Sequence, residues 1–264
     1  MKISIITPCL NAGRFIERTL CSVLNQDGDF DLEYIVVDGG STDRTIEIVR
    51  RYENRLHWIS EKDRGWASAL NKGLKLARGE IVACLNSDDL YRPDSLRKVS
   101  DFFVRSHSQW LFGKCDIIDE NDRPIRGWVT TYKNFYLRRY SYNRLLAENF
   151  ISEPATFWRK SLIDEIGFFD EDETENIAPD YDYWLRIGRK HDPQYLDEYL
   201  ASFRSRKDSL SGSRYKQLFS HEFRVARRYS EGLTWPIALH YLNHYKIVAA
   251  YSLMNWLRAI RTRA

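Results

Sequence analysis

Short apolar runs rich in β-branched residues alternate with longer amphipathic segments through the first hundred residues. The runs predict strands over residues 2–7, 32–37, 56–60 and 80–85, and the segments between them predict helices over residues 13–25, 42–52 and 66–77. This alternation is typical of a parallel sheet with crossover helices. The turn Asp38-Gly39-Gly40-Ser41 follows the second strand, and Ser41 is the expected N-cap of the next helix.

The pattern changes after residue 109. Residues 110–129 predict short strands around an acidic turn at residues 119–122, so the second half is expected to be mixed rather than purely parallel. Later segments predict helices near residues 142–148 and 180–190 and strands near residues 155–158 and 199–204. Two helices, over residues 213–230 and 235–261, are predicted to end the chain.

Composition and charge exclude several classes of protein. The 264 residues are 43% hydrophobic and 29% charged, which excludes a disordered, collagen-like or disulfide-stapled chain. Acidic and basic residues nearly balance, and a net charge of +3 is too small for a dedicated nucleic-acid binder. The 14% share of aromatic residues suggests surfaces that stack on rings or lie at an interface.

The chain carries neither a signal-peptide pattern nor an uninterrupted apolar span. The N-terminus runs directly into a strand, and polar side chains interrupt the most apolar later stretch, residues 235–257. The four cysteines are scattered without a CxxC pair and are interpreted as small buried hydrophobic residues in a reducing compartment. The expectation is a soluble or surface-attached cytoplasmic protein.

Polar residues follow three of the predicted parallel strands, where open α/β sheets bind their ligands. They are Thr7-Pro8-Cys9-Leu10-Asn11, Asp38-Gly39-Gly40-Ser41-Thr42-Asp43 and Asn86-Ser87-Asp88-Asp89. A carboxylate beside two glycines can bind a base or ribose, and a carboxylate cluster can hold a hard cation on a diphosphate. Taken alone, Asp38-Gly39-Gly40 is better explained as a tight turn, and Asp88-Asp89 is equally compatible with an acidic loop that caps the next helix. Together the segments predict a nucleotide site.

In this order the segments resemble the inverting glycosyltransferases of family 2, which have the GT-A fold. The segments that carry the resemblance are residues 4–11, Ser22-Val23-Leu24-Asn25-Gln26, residues 33–45, Ser60-Glu61-Lys62-Asp63-Arg64-Gly65, Ala69-Leu70-Asn71-Lys72-Gly73, Gly79-Glu80 and residues 85–89. The resemblance extends over about four fifths of the chain, from residue 3 to residue 213. It implies a Rossmann-like, mostly parallel central sheet flanked by helices, with a C-terminal helical extension.

The implied organisation is a catalytic domain over residues 1–212 and the helical extension over residues 213–264. Within the catalytic domain, residues 1–109 form the nucleotide-sugar half and residues 110–212 the acceptor half. The resemblance implies an enzyme that moves a sugar from a nucleotide donor, UDP-linked in most relatives, to a hydroxyl group of a glycan or lipid-linked acceptor.

The resemblance also implies roles for single residues on the donor side. The matching residues are Thr7, Pro8 and Asn11 in the loop that wraps the nucleotide, Asp38 at the base, Asp63 and Lys72 beside the ribose and diphosphate, and Asn86, Ser87 and Asp88 in the metal motif. Asp88 is the position that coordinates Mg²⁺ or Mn²⁺. An amide, Asn86, replaces the first aspartate of the motif, so the metal would rest on Asp88 and the diphosphate. Relatives often carry histidine where this chain has Arg206, which is expected to meet the phosphates directly.

On the acceptor side, Asp180 matches the general base of the family, at the start of a helix. Asp182 is interpreted as a first-turn residue that favours the helix dipole. Without the upstream motifs, Asp180 would be explained as an N-cap alone.

Other functions are weighed on particular residues. A nucleotidylyltransferase would begin with a glycine-rich basic loop, which residues 7–11 do not provide, and a nucleic-acid module is a distant third choice. A non-catalytic family member that binds nucleotide or glycan stays open because of Asn86 and Arg206. His240 and His244 have a spacing that can hold zinc, but they lack a third ligand, so no zinc is expected.

The C-terminal extension is basic. From Arg214 onward there are nine basic and two acidic residues, a net charge of +7, which leaves −4 for the rest of the chain. One interpretation is that these helices dock against the catalytic domain or a dimer partner. The other is contact with an anionic membrane surface, at the inner face of the cell membrane, where lipid-linked acceptors would lie.

Overall fold

The computed structural model describes residues 1–172, 177–206, 209, 214–230, 232 and 234–261. Its strands are β1 (Lys2–Cys9), β2 (Asp31–Asp38), β3 (His57–Ser60), β4 (Ile81–Cys84), β5 (Leu90–Tyr91), β6 (Trp110–Ile118), β7 (Pro124–Ile125), β8 (Thr156–Arg159) and β9 (Gln194–Arg204). Its helices are α1 (Ile16–Leu24), α2 (Thr45–Arg50), α3 (Trp66–Leu76), α4 (Ser95–Arg105), α5 (Gly127–Leu137), α6 (Tyr142–Ala147), α7 (Leu162–Ile166), α8 (Pro179–Gly188), α9 (Tyr215–Tyr229) and α10 (Trp235–Arg261).

The strands form one mixed sheet in the order β3-β2-β1-β4-β8-β6-β9-β5, with β7 paired to β6. The first four strands in this order are parallel to one another, and β8 runs antiparallel to both β4 and β6. β6 and β9 are parallel, whereas β5 is antiparallel to β9. A parallel first half and a mixed second half are therefore confirmed, and the ends of β1 to β4 meet at one edge.

Apolar residues cover both faces of the sheet. Successive residues of a strand belong to opposite faces of the sheet, as Ile5 and Ile6 of β1 do, because their side chains point in opposite directions. β4 is continuously apolar, as expected for a strand that is buried on both faces, and β1 is buried from Ile3 to Cys9. Aromatic rings fill much of the larger core: Trp110 stacks on Trp184, and both are fully buried. Much of the aromatic content therefore serves the core rather than ring-binding surfaces.

The two C-terminal helices pack against α6 and α8. Val225 of α9 and Ile237 of α10 are buried in the larger core. The buried His240 of α10 takes part in this packing, since its Nδ1 atom lies 2.7 Å from the carbonyl oxygen of Leu146 in α6. Docking against the catalytic unit is the interpretation that this packing supports. The predicted boundary at residues 212–213 lies outside the described residues.

Asp182 does more than favour the dipole of α8. Its carboxylate is 2% exposed and accepts hydrogen bonds from Arg186 Nε at 2.9 Å and from the Tyr229 hydroxyl at 2.8 Å. Because Tyr229 ends α9, the buried carboxylate joins α8 to α9.

The largest difference from the predicted elements is α5. The predicted short strands extend to residue 129, and residues 127–137 are rich in aromatic and β-branched side chains, which favour strands. The structure instead has one strand, β6, as far as Ile118, a two-residue β7, and then this helix. Only Thr130 and Leu137 of α5 are buried, so the helix lacks the apolar periodicity that would reveal it.

The prediction that Ser41 caps the second helix is wrong. α2 begins at Thr45, and the Asp43 carboxylate accepts a hydrogen bond from the Thr45 backbone N–H at 2.9 Å. The Ser41 hydroxyl instead contacts Asp38.

The cysteines are free thiols, and three of the four are buried as predicted; Cys21 is partly exposed. In the part of the chain that the structure describes, every helix is too short or too polar to cross a membrane.

Glu222 gives the packing of α9 a pH dependence. It is buried, and burial raises the pKa of its carboxyl to about 8, although the hydrogen bond from Asn149 lowers it. The folded protein keeps a proton that the unfolded chain releases above about 4.5, so the free energy of unfolding falls as pH rises from there to about 8. We expect Glu222→Gln to remove this decline and to stabilise the protein at pH 8 by roughly 4 kcal/mol.

Urea unfolding between pH 5 and pH 8.5 measures this effect. The exposed Glu53→Gln is the control and should keep the wild-type slope. An unchanged slope in Glu222→Gln would show that Glu222 does not retain its proton on folding.

Candidate active site

Asp38 is held in a closed hydrogen-bond network at the end of β2. One oxygen of its buried carboxylate accepts hydrogen bonds from the backbone N–H groups of Gly40 at 3.0 Å and Ser41 at 2.9 Å. The same oxygen accepts a hydrogen bond from the Ser60 hydroxyl at 2.7 Å. Because Ser60 ends β3, the network ties the β2 and β3 loops together and fixes the position of Asp38.

Asp63 lies directly against the Gly39-Gly40 turn. A Cβ atom added to Gly39 would come within 2.6 Å of the Asp63 carboxylate, so glycine is required for this approach. The carboxylate also accepts a hydrogen bond from the Gly65 backbone N–H at 2.9 Å. Lys72 of α3 lies beside the same loop, where its ammonium pairs with Glu61 at 2.8 Å. Asp63 therefore lies against the turn that follows Asp38.

Asn11 joins the β1 loop to the β2 loop. Its backbone has a φ of +50°, in the left-handed region that asparagine tolerates. Its side-chain oxygen accepts a hydrogen bond from the Thr42 N–H at 2.9 Å. Thr7 and Pro8, expected in this loop, lie in the buried end of β1, and the Thr7 hydroxyl contacts the Tyr34 hydroxyl at 3.0 Å. Thr7 and Pro8 therefore belong to the end of strand β1, and of the three predicted residues only Asn11 lies in the loop that follows it.

Asn86 follows β4, and both the oxygen and the nitrogen of its side-chain amide form hydrogen bonds. The oxygen accepts a hydrogen bond from Trp66 Nε1 at 2.6 Å, and the nitrogen donates to Glu153 at 2.9 Å and to Asp89 at 3.3 Å. An aspartate here would have no hydrogen to donate and would face two acidic side chains. The surrounding residues therefore explain why an amide stands at this position.

Asp88 and Arg206 form an ion pair. Arg206 Nε lies 2.8 Å from Asp88 Oδ2, and its guanidinium lies 5.4 Å from the centre of the Phe15 ring. The preceding arginine in β9, Arg204, holds the turn itself: its Nε donates to the Asp88 carbonyl and its backbone N–H donates to Asp89, both at 2.7 Å. Arg204 was not among the predicted site residues, although a charged residue at the end of an apolar strand signals a buried polar contact.

The residues present fit a divalent cation that is shared with a ligand. Ser87 and Asp88 form the tip of the turn, where the Asp88 carboxylate is partly exposed, whereas Asp89 is buried. Mg²⁺ typically binds through one or two carboxylates and completes its shell with phosphate oxygens and water. A single carboxylate suits that role. Among the described residues there is no group of three potential ligand side chains that could form a metal site from protein alone.

Asp180 lies in the first turn of α8, behind Pro179. The N-cap is Ala178, so capping does not explain Asp180. Burial raises the pKa of its carboxyl, although the N–H of Tyr181 and the charge of Lys133 act in the opposite direction. Lys133 belongs to α5, the helix that the sequence pattern did not reveal, and it was therefore missed.

Glu153 contacts the turn after β4 and interacts electrostatically with Asp180. It is buried, and burial raises the pKa of its carboxyl well above the usual range; the negative charges of Asp89 and Asp180 raise it further. Its carboxylate accepts the hydrogen bond from Asn86 described above. No motif in the sequence marks Glu153. Its position links the turn after β4 to the start of α8.

Comparison with known proteins identifies the family. A model of glycosyl transferase family 2 matches residues 4–167, more than half of the chain, so the chain belongs to this family. The matched region contains all donor-side candidates except Arg206, and it ends before Asp180.

Two relatives illustrate the similarity. The putative teichuronic acid biosynthesis glycosyltransferase TuaG of Bacillus subtilis is 29% identical over 219 residues, which cover 81% of this chain and 83% of TuaG. The uncharacterized glycosyltransferase alr2836 of Nostoc sp. is 34% identical over 129 residues, 47% of this chain; the match covers 40% of that longer protein.

Solved structures show the same fold. S. aureus TarS 1-349 in complex with UDP-GlcNAc has a TM-score of 0.67 at 24% identity, covering 87% of this chain and 66% of that chain. The mannosyltransferase PcManGT from Pyrobaculum calidifontis, in complex with GDP-Man and Mn²⁺, has a TM-score of 0.67 at 22% identity, covering 92% and 69%. The expected GT-A fold is confirmed.

Proposed function

We propose that the protein transfers a sugar from a UDP-linked donor to a hydroxyl group of a glycan or lipid-linked acceptor, with inversion at the anomeric carbon. The supporting observation is that Asp38 at the end of β2 and Asp63 and Asp88 in the loops after β3 and β4 lie at one sheet edge, where Glu153 hydrogen-bonds to Asn86 and interacts electrostatically with Asp180. Solved structures of the same fold hold UDP-GlcNAc, or GDP-Man with Mn²⁺. A cytoplasmic location at the inner membrane face belongs to the same proposal.

On the donor side, Asn11, Asp38 and Asp63 receive the nucleoside, and Lys72 and Arg206 lie towards the diphosphate. Thr7, Pro8, Asn86 and Ser87 shape the loops that carry these residues. Asp88 would hold Mg²⁺ or Mn²⁺, and such a cation would stabilise negative charge on the leaving diphosphate.

On the acceptor side, Asp180 acts as the general base. Its carboxylate accepts the proton of the acceptor hydroxyl while the hydroxyl oxygen forms a bond to the anomeric carbon. The bond from that carbon to the diphosphate oxygen breaks, and its electron pair leaves with the nucleoside diphosphate. A raised pKa makes the Asp180 carboxylate a better proton acceptor than an ordinary aspartate. One displacement inverts the configuration.

Calorimetric titration with UDP, GDP and CDP, each in Mn²⁺ and in EDTA, tests the donor class. We expect UDP to bind most tightly, and more tightly with Mn²⁺ than with EDTA. Equal or tighter binding of GDP would contradict the uridine assignment, and no binding of any nucleotide would contradict the proposed function.

Arg206→Ala is expected to raise the KM for the donor by about 10–100-fold, because a charge-assisted contact contributes roughly 1.5–3 kcal/mol. Initial-rate kinetics with varied donor measures the change. Arg14→Ala is the matched control, since Arg14 also lies over the Phe15 ring, at 4.9 Å, but pairs with Glu120 rather than Asp88. An unchanged KM in Arg206→Ala would exclude a phosphate contact.

A further inference from the structure

A cleft of about 780 Å³ opens between α9 and α10, on the side where α8 begins. This volume lies within the range of small-molecule binding sites. One wall carries three cationic residues, Arg214, Lys216 and Arg224, and the other wall carries Tyr241 and Tyr245. None of the residues assigned to the donor site lines it.

The cleft is positively charged. None of its described lining residues is acidic. The one acidic residue of α9, Glu222, faces the protein interior, where its carboxylate bonds to Asn149 at 2.9 Å. Its raised pKa, about 8, leaves it largely protonated near neutral pH. The cationic side chains are exposed to solvent, whereas the carboxyl group of Glu222 is buried and does not line the cleft.

The opposite wall offers aromatic faces. The rings of Tyr241 and Tyr245 lie 4.8 Å apart, and their hydroxyls are 3.1 Å apart. The two residues are 50% and 55% exposed, and Phe223 supports Tyr241 from α9 at 5.8 Å. Paired, half-exposed rings with polar tips suit a ligand that has one flat apolar face and several hydroxyl groups, which describes a sugar ring.

The cleft is joined to the proposed acceptor side. Ile177 lines it, and the backbone N–H of Ile177 donates to Nδ1 of His221 on α9 at 3.3 Å. Ile177 lies three residues before Asp180, so a molecule in the cleft is close in the fold to the start of α8.

We propose that this cleft binds an anionic sugar unit of the acceptor, one that carries a phosphate or carboxylate group, at a position remote from the hydroxyl that receives the new sugar. The cationic wall binds the anionic group, and the tyrosine wall packs against the ring. This inference rests on the proposed function, since it names the class of acceptor.

Saturation-transfer NMR with three probes, glucose 6-phosphate, glucuronate and glucose, tests the proposal on the full chain. We expect both anionic sugars to bind and glucose to bind at least tenfold more weakly. Arg214→Gln/Lys216→Gln/Arg224→Gln should lose the anionic sugars, and Tyr241→Ala/Tyr245→Ala should weaken them. UDP affinity should stay unchanged in both variants.

Matched controls separate the cleft from general effects of charge and surface. Arg92→Gln/Arg97→Gln/Arg105→Gln removes three exposed positive charges at and near α4, and Leu242→Ala changes a side chain of α10 that does not line the cleft. Both should bind the anionic sugars as the wild type does. Equal losses in the cleft and control variants would overturn the proposal.

Two further probes identify the source of an anion. Inorganic phosphate that binds as well as glucose 6-phosphate would overturn the role of the sugar ring. Phosphatidylglycerol vesicles that bind while both soluble anionic sugars fail would overturn the proposal in favour of a lipid surface. If UDP does not bind the wild type, the proposed function is contradicted, but binding of the anionic sugars can still be measured. Failure of the proposed function and failure of the cleft proposal are therefore distinguishable.

Discussion

Asp180→Asn is expected to lower kcat by about 10²–10⁴-fold, the usual contribution of a positioned general base. The amide keeps the size of the side chain but cannot accept the proton of the acceptor hydroxyl. UDP affinity should not change, because Asp180, at the start of α8, belongs to the acceptor side and is assigned no contact with the nucleotide. Steady-state kinetics with the donor and calorimetry with UDP measure the two quantities separately.

The pH profile gives this prediction a second readout. The base must be ionised to act, so kcat/KM should rise with pH through the pKa of Asp180. Because burial raises that pKa, the acid limb should lie above 3.8, the ordinary value for aspartate. Asp180→Asn should lose the limb. If Asp180→Asn has the wild-type kcat and an unchanged acid limb, Asp180 is not the general base.

Asp182→Asn is the matched control two residues along the same helix. Asp182 is buried in contact with Arg186 and Tyr229, so its loss should lower the free energy of unfolding rather than kcat of the folded protein. A similar fall in kcat for both variants, at equal folded fraction, would indicate disturbance of α8 rather than loss of a base.

The parallel half of the fold was predictable because its signals are local. β1, β2 and β4 are short apolar runs, and the residues after them include glycine where the backbone must approach a neighbour, as Gly39 approaches Asp63. α5 was not predictable, since its residues favour strands intrinsically and only two of them are buried. Contacts with β6 and the rest of the molecule decide its conformation.

The residues of the candidate site also differ in whether the sequence alone could predict them. Asp38, Asp88 and Asp180 carry motif signals within a few residues of themselves. The contacts of Asn86 depend on Trp66 and Glu153, which come from distant parts of the sequence and meet only in the folded chain. Single-sequence patterns do not contain such pairings. For this reason the roles of Glu153, Lys133 and Arg204 emerged from the structure alone.

Asp88→Ala is expected to lower kcat/KM by about 10²–10³-fold, comparable to the loss of one preorganised electrostatic group from an active site. Two changes combine at the tip of the turn. The carboxylate that would bind the divalent cation disappears, and Arg206 loses the partner that lies 2.8 Å from its Nε. Titration with UDP should give an affinity that no longer differs between Mn²⁺ and EDTA. Glu120→Ala, which removes the partner of Arg14, should keep the wild-type difference.

The ion pair makes the effects of Asp88 and Arg206 interdependent. If Asp88 orients the guanidinium towards the diphosphate, part of the loss in Asp88→Ala is already lost in Arg206→Ala. The double variant should then be less impaired than the product of the two single effects implies, with a coupling of about 0.5–3 kcal/mol, as for residues in contact. Multiplicative losses would show that the two side chains act independently. Undiminished dependence on Mn²⁺ in Asp88→Ala would assign the cation to residues other than Asp88.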